Sequence, residues 1–385
     1  MKNLFPVNKF ETIQTPFYYY DTNLLRQTLS EIKQQIGKHS NFVLHYAVKA
    51  NTNHEILKII NEYGFGIDCV SGGEIEAAIN AGFNPGNIVF AGVGKSDWEI
   101  QYALDNKILC FNCESIPELE VINELAEKSG TTANICFRIN PEVGAHTHKN
   151  IATGNAENKF GIALNDMEKV ISKAKSMKAV NFIGLHFHIG SQILVMDDFI
   201  ALCERINELQ EQLEKNNIKI EIINVGGGLG IDYNDPDGNP IPDFKTYFET
   251  YANNLKLREG QSVHFELGRA VVAQCGSLIT KVLYVKQGAV KQFAIVDAGM
   301  TELIRPALYQ AHHFIENISS SMPEETYDVV GPICESSDVF DKDIKLNKTS
   351  RGDLIAIRSA GAYGEIMASQ YNCRKLPKAV LSDTL

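Results

Sequence analysis

Between Asn41 and Arg269 the chain alternates eight short β-type apolar runs with stretches of helical period, and this alternation restricts the fold more than anything else in the sequence. The runs are Phe42–Lys49, Phe65–Val70, Ile88–Ala91, Ile108–Asn112, Ile135–Ile139, Phe182–Ile189, Ile220–Val225 and Val263–Glu266. Between the first two, Ile56, Leu57, Ile59, Ile60 and Tyr63 form one apolar stripe; after the second, Ile75, Ala78 and Ile79 begin another. Three helix starts have the spacing Ser-x-x-Glu, at Ser71 and Glu74, Ser96 and Glu99, and Ser115 and Glu118. At that spacing the serine accepts a free backbone N–H and the glutamate reaches back to another. An open doubly wound sheet shares the alternation. Eight units in about 230 residues match a closed (β/α)₈ TIM barrel better. The expected fold class is therefore α/β, with the barrel over residues 30–270.

Past Arg269 the pattern changes. Val271–Val285, Phe293–Val296, Tyr327–Pro332 and Leu354–Ser359 are β-like, with one helix expected near Leu303–Phe314. A second, mostly β domain over 271–385 is expected, joined by residues 1–29 through the β-like Phe17–Tyr20. At 385 residues with 44% hydrophobic content, the chain has enough apolar material for one or two such cores.

The formal net charge of -11 argues against a nucleic-acid surface, which needs a basic stripe. Met1 to Phe10 holds Lys2 and Lys9 without a continuous apolar stretch, so it does not read as a signal peptide. No apolar run approaches the length of a membrane span. Eight scattered cysteines in so long a chain suit reduced thiols in a cytoplasm, and a catalytic thiol is then possible.

A TIM barrel does its chemistry at the C-terminal ends of its strands. The unusual residues of this sequence fall there: Lys49, Asp68, Arg138 with Asn140, His188, Gly226 to Gly228, and Glu266 with Gly268 and Arg269. Lys49 could be a surface lysine, but Tyr46, Ala47 and Val48 before it would bury its stem, and a desolvated amine is a good Schiff-base nucleophile. His186 and His188 point the same way along a strand, yet no further ligand completes a metal pattern, and His186 reads as a core histidine with a satisfied ring. Gly226 to Gly230 matches neither a dinucleotide fingerprint nor a Walker loop, but it would let the backbone approach a phosphate. Glu266 reads either as a buried carboxylate paired with Arg269 or as the partner of a ligand's ring nitrogen. Cys110 and Cys113 read as structural. The acidic turn from Asp232 to Pro240 fails as a calcium loop because Pro236 occupies a ligand position.

Together these stretches resemble a known family. Tyr46-Ala-Val-Lys-Ala-Asn51, Ile67-Asp-Cys-Val-Ser71, Arg138-Ile-Asn-Pro141, Thr147-His148 with Thr153-Gly154, Lys159-Phe-Gly161 and Leu185-His-Phe-His-Ile-Gly-Ser-Gln192 carry the resemblance in the barrel. Glu266-Leu-Gly-Arg269, Arg305-Pro-Ala-Leu-Tyr309, Cys334-Glu-Ser-Ser-Asp338 and Gly361-Ala-Tyr-Gly364 carry it onward. From about Phe17 to Tyr371 the chain resembles the diaminopimelate decarboxylases, of the fold-type III (alanine-racemase-like) pyridoxal-phosphate enzymes. The resemblance implies a homodimer that converts meso-2,6-diaminopimelate to L-lysine and carbon dioxide, the last step of lysine biosynthesis. It implies that Lys49 holds pyridoxal 5'-phosphate as a Schiff base, that His188 stacks on its ring and that Glu266 pairs with the ring nitrogen. Asp68, Ser191, Gly227, Gly228, Gly268, Arg269 and Tyr363 would complete the cofactor site. Arg269, Arg305, Tyr309, Glu335 and Tyr363 would bind substrate, and Cys334 would be the proton donor, from a second subunit. Two departures from the family's pattern stand out: Leu267 where it has proline, expected to loosen the turn, and Ser337 where it often has glycine, acceptable if φ there is not positive. The rival readings are a decarboxylase of ornithine, arginine or carboxynorspermidine, an amino-acid racemase on the same barrel, and a non-catalytic cofactor carrier. The loop from Pro141 to Lys159 is a candidate lid.

Overall fold

The computed structural model describes residues 5–144 and 159–385. The chain divides into two units, one of Leu29–Gly230 with Asp243–Arg269, the other of Met1–Thr28, Ile231–Pro242 and Ala270–Leu385. The first strand, β1 (Phe17–Tyr20), belongs to the second of these.

The first unit is a closed barrel of eight parallel strands: β2 (Phe42–Ala47), β3 (Gly66–Cys69), β4 (Ile88–Phe90), β5 (Cys110–Cys113), β6 (Ala133–Arg138), β7 (Val180–His186), β8 (Ile222–Asn224) and β9 (Ser262–Leu267). It closes where β2 pairs with β9 from Phe42 against Val263 to Tyr46 against Leu267. Alternation decides what each strand residue meets. Phe42 and Phe265 pack with Phe248 of the helix Phe244–Asn254, Phe265 lying 5.0 Å from each of the other two rings. Val89, Cys110, Cys136, Ile183 and Ile222 form one buried cluster.

Two strands end two or more residues before their apolar runs do. β2 stops at Ala47 and the chain turns through a 3₁₀ segment, Val48–Ala50, so Lys49 sits on a turn. β7 stops at His186, which leaves His188 beyond the ladder. The serine caps form as expected at Ser71 and Ser115, which accept the N–H of Glu74 and Glu118 at 3.2 Å. Only at Ser96 does the glutamate return to the cap's own N–H, at 2.9 Å. Glu74 and Glu118 instead accept the N–H of Val70 and Glu114, one residue earlier, at 2.7 Å. The backbone explains this: φ is -155 and -160° at Ser71 and Ser115 but -81° at Ser96.

The second unit holds β1 with β10 (Gly276–Gln287), β11 (Gln292–Val296), β12 (Ile315–Asn317), β13 (Glu324–Val330), β14 (Val339–Asn347), β15 (Leu354–Ile357) and β16 (Lys378–Leu381). The sheet runs β12-β15-β10-β11-β13-β14, and β1 joins β10 to β16. Phe5, Phe10, Phe17 and Tyr19 pack with Ile279, Leu354 and Ala356 into its core. The helix expected near Leu303–Phe314 is only Arg305–Tyr309, because Gln310 takes the left-handed conformation (φ 53°) and ends it. The acidic turn is tied to this unit, Gln274 donating to the Asn239 carbonyl at 2.8 Å and Arg358 to Asp237 at 2.8 Å. No helix among the described residues is long and apolar enough to cross a membrane.

Candidate active site

The C-terminal ends of the barrel strands bring three kinds of group together: a lysine amine, a set of buried carboxylates, and a glycine turn. Lys49 donates to Asp68 Oδ2 at 2.6 Å, with the lysine side chain 38% exposed and the aspartate fully buried. Asp68 Oδ1 is buried without a hydrogen-bond partner among the described residues. Burial first, then the negative charge of Glu266, pushes the Asp68 carboxyl up to about 6 even with Lys49 beside it.

Glu266, on β9, receives donors from three other strands. His186 Nε2 lies 3.1 Å from Oε2, and the side-chain amides of Asn224 and Asn112 donate to Oε1 at 2.7 and 3.2 Å. Burial alone would raise its pKa, but His186, Lys49 and the Asn224 amide hold the carboxyl well below the usual range. An anion only accepts, so His186 donates from Nε2. Its Nδ1 is buried with no hydrogen-bond partner among the described residues, so the ring is half satisfied rather than fully. Nor does Glu266 pair with Arg269. That guanidinium donates to Ser191 Oγ instead, from Nη2 at 3.0 Å and Nε at 3.3 Å.

The glycine turn is required by close approach. A Cβ on Gly227 would stand 2.0 Å from the Glu266 carbonyl oxygen, and Gly226 and Gly228 have φ of +70 and +115°. Asn224 joins this turn to the carboxylate, because its Oδ1 accepts the Gly226 N–H at 2.9 Å while its amide donates to Glu266. Gly227 N–H donates to His188 Nδ1 at 3.3 Å. Desolvation, with Arg138 and Lys49 nearby, drives the His188 pKa well down, so this ring is neutral. Gly268 faces the Lys49 turn, where a Cβ would stand 3.1 Å from that of Ala50. Leu267 does not loosen the strand end; it is buried and carries β9 one pair further, to Tyr46.

Arg138 donates to Glu114 at 3.1 Å, and the other oxygen of Glu114 accepts the Gly161 N–H at 2.8 Å. Most of the candidate lid, residues 145–158 with Thr147, His148, Thr153 and Gly154, lies outside the described residues.

The β-rich unit holds the remaining expected residues. Arg305 is buried, its Nε donating to His313 Nε2 at 3.2 Å, with the Tyr233 and Tyr309 rings 5.4 and 5.9 Å from its guanidinium. Cys334 and Glu335 are exposed, and the Cys334 N–H donates to Asn372 at 3.4 Å. Tyr371 hydrogen-bonds Glu335, which raises the phenol's pKa. Ser337 is not among the residues of positive φ, so serine costs nothing there; Tyr363, with φ of 56°, is half-buried.

Sequence reasoning missed Asn112, Asn224, His313 and Tyr233. For the two asparagines a signal existed: each is an amide at the inward end of an apolar run, where a side chain needs a partner.

The family described as "Pyridoxal-dependent decarboxylase, pyridoxal binding domain" matches residues 23–273. The chain is 68% identical, over 385 residues and the full length of both chains, to the diaminopimelate decarboxylase of Bacteroides thetaiotaomicron. A crystal structure of diaminopimelate decarboxylase from Helicobacter pylori complexed with L-lysine is similar at a TM-score of 0.91 and 41% identity, covering 97% of this chain and 93% of that one. A second, from M. jannaschii in co-complex with L-lysine, has a TM-score of 0.87 at 36% identity, covering 98% and 89%.

Proposed function

We propose that this chain, which belongs to the diaminopimelate decarboxylase family of the pyridoxal-dependent decarboxylases, is a carboxy-lyase that converts meso-2,6-diaminopimelate to L-lysine and carbon dioxide, the last step of lysine biosynthesis. The observation that carries the reading is that Lys49, paired with Asp68, and a caged anionic Glu266 stand at the same end of a barrel so similar in sequence to that family.

The residues present fit pyridoxal 5'-phosphate. A buried anion suits a ring nitrogen, and Asp68 Oδ1 has hydrogen-bonding capacity in reserve. In this reading Lys49 would hold the cofactor covalently through its amine. Glu266 would meet the ring nitrogen, and His188 would lie on the ring face. Asp68, Ser191, Gly227, Gly228, Gly268, Arg269 and Tyr363 would complete its site. When bound, the cofactor supplies an electron sink, a protonated ring that takes up the electron pair left when the bond to the α-carboxylate breaks. Glu266 serves that chemistry by keeping a proton on the nitrogen it faces. The neutral His188 adds a flat surface without a competing charge.

Arg305, Tyr309, Glu335, Arg269 and Tyr363 would bind substrate. A distal centre bearing both a carboxylate and an ammonium calls for both signs of charge. An arginine's fork grips a carboxylate in a way a lysine cannot. Ornithine and arginine lack that distal carboxylate, and Arg305 would have nothing to pair with in either. Cys334 would give a proton to the α-carbon that carbon dioxide has left, reaching it from a second copy of the chain, so the working unit is a homodimer. The eight unpaired cysteines suit a reducing compartment, and we assign the enzyme to the cytoplasm.

The test is product analysis with cofactor-loaded protein. Lysine should appear one for one as meso-diaminopimelate disappears. Consumption without lysine, or a change of stereochemistry with the carboxylate retained, would overturn the reading in favour of a racemase.

A further inference from the structure

Arg305 is an unusual cation: it is 5% exposed, and its surroundings within the β-rich unit are mostly rings. Tyr233 and Tyr309 lie 5.4 and 5.9 Å from its guanidinium, a range in which aromatic faces attract a cation. Tyr233 also meets the His313 ring edge-on, at 5.1 Å and 78°.

The tautomer of His313 follows from its partners. Nδ1 lies 2.9 Å from the Arg358 carbonyl oxygen, which only accepts, so Nδ1 carries the proton. Nε2 is then an acceptor, and it takes the Arg305 Nε–H at 3.2 Å. Arg358 is itself anchored, donating to Asp237 at 2.8 Å and to Glu316 at 2.7 Å. Asp237 and Tyr233 belong to the same acidic turn. One path therefore runs from that turn through Arg358 and His313 to Arg305, and back to the turn through Tyr233.

We infer that His313 is a positioning residue for substrate specificity: it takes the Nε–H of Arg305, so that the guanidinium is fixed in one orientation and meets a substrate carboxylate end-on. An arginine free to rotate offers a carboxylate either its end or its Nε side; this one has its Nε side committed. Fixing the fork before substrate arrives removes an ordering cost from binding. The inference rests on the proposal that Arg305 takes the distal carboxylate of meso-diaminopimelate.

The experiment compares His313→Phe, His313→Asn, His313→Gln and Arg305→Gln in the cofactor-loaded enzyme, reading KM and kcat for meso-diaminopimelate separately, with cofactor occupancy as a control. His313→Phe keeps the ring and loses the acceptor, so KM should rise about tenfold with kcat within about twofold. The amide of glutamine reaches the place of Nε2 and that of asparagine does not. His313→Gln should therefore return KM to within about threefold of the parent, while His313→Asn stays high. If His313→Phe does not fold, the glutamine–asparagine difference decides. Equal KM values for those two, or a loss of kcat and cofactor occupancy without a change in KM, would overturn the positioning role. A raised KM in Arg305→Gln alone would leave the function standing and remove His313 from it. An unchanged KM in Arg305→Gln would instead remove the reading of Arg305, and this inference with it.

Discussion

Burying a carboxylate costs several kcal/mol unless donors surround it, and Glu266 draws its donors from β5, β7 and β8. The arrangement has a purpose only if the charge is needed. In Glu266→Gln the anion is lost, and on the proposed reading the proton on the cofactor's ring nitrogen would go with it. Decarboxylation should fall about 10²- to 10³-fold, and the ¹⁵N signal of labelled cofactor should move to its unprotonated position. An unmoved signal would show that Glu266 does not set the proton. Lys49→Ala should abolish the absorbance of covalently held cofactor; if it keeps full activity, the assignment of Lys49 is wrong. The lysine, the glutamate and the glycines were legible because each interrupts a strand end with chemistry an apolar barrel does not need. Asn112 and Asn224 were legible only as amides in apolar runs that need a partner, and the runs do not say which partner. Only closure of the barrel shows that both amides meet one carboxylate.

At the scale of elements, the β2–β9 closure holds a pair of buried imidazoles. His45 Nε2 lies 2.9 Å from His264 Nδ1, and His264 Nε2 lies 3.1 Å from Ser262 Oγ. Burial lowers the pKa of His45 to about 4 and, with the neighbouring ring, that of His264 to about 3. Both values lie below the 6.5 of an unfolded chain, so between 6.5 and about 4 the unfolded chain binds protons that the barrel refuses. Stability from the neutral pair is present above pH 6.5 and is lost as pH falls toward 4, at about 1.4 kcal/mol per pH unit per ring. Denaturant titrations across that range should show the loss, and a variant with both histidines replaced should lose less. Helix entry is a second local case. Ser115→Ala removes an acceptor from the Glu118 N–H and should cost about 1 kcal/mol, read as a lowered Tm. The eight strands and three caps were legible because period and cap spacing are local signals. Strand ends and helix length were less so, because the turn at Val48–Ala50 and the left-handed Gln310 respond to contacts the local pattern does not contain.

For the whole molecule, the proposal of a dimer with shared sites makes its own prediction. Lys49→Ala and Cys334→Ala subunits are each expected to be inactive alone. Mixed and re-paired at random, half of the dimers would be hybrids with one intact site of two, so about a quarter of the parent activity should return. No recovery would place Lys49 and Cys334 of a single chain in the same site. The course of the acidic turn could not be read from sequence, since its partners Gln274 and Arg358 lie far along the chain. The central claim is the substrate. Carbon dioxide release should be measured side by side from meso-diaminopimelate, L-ornithine and L-arginine with the same cofactor-loaded preparation. Release from meso-diaminopimelate alone is the expected result; release from ornithine or arginine at a comparable rate would contradict the account and leave Arg305 without its carboxylate.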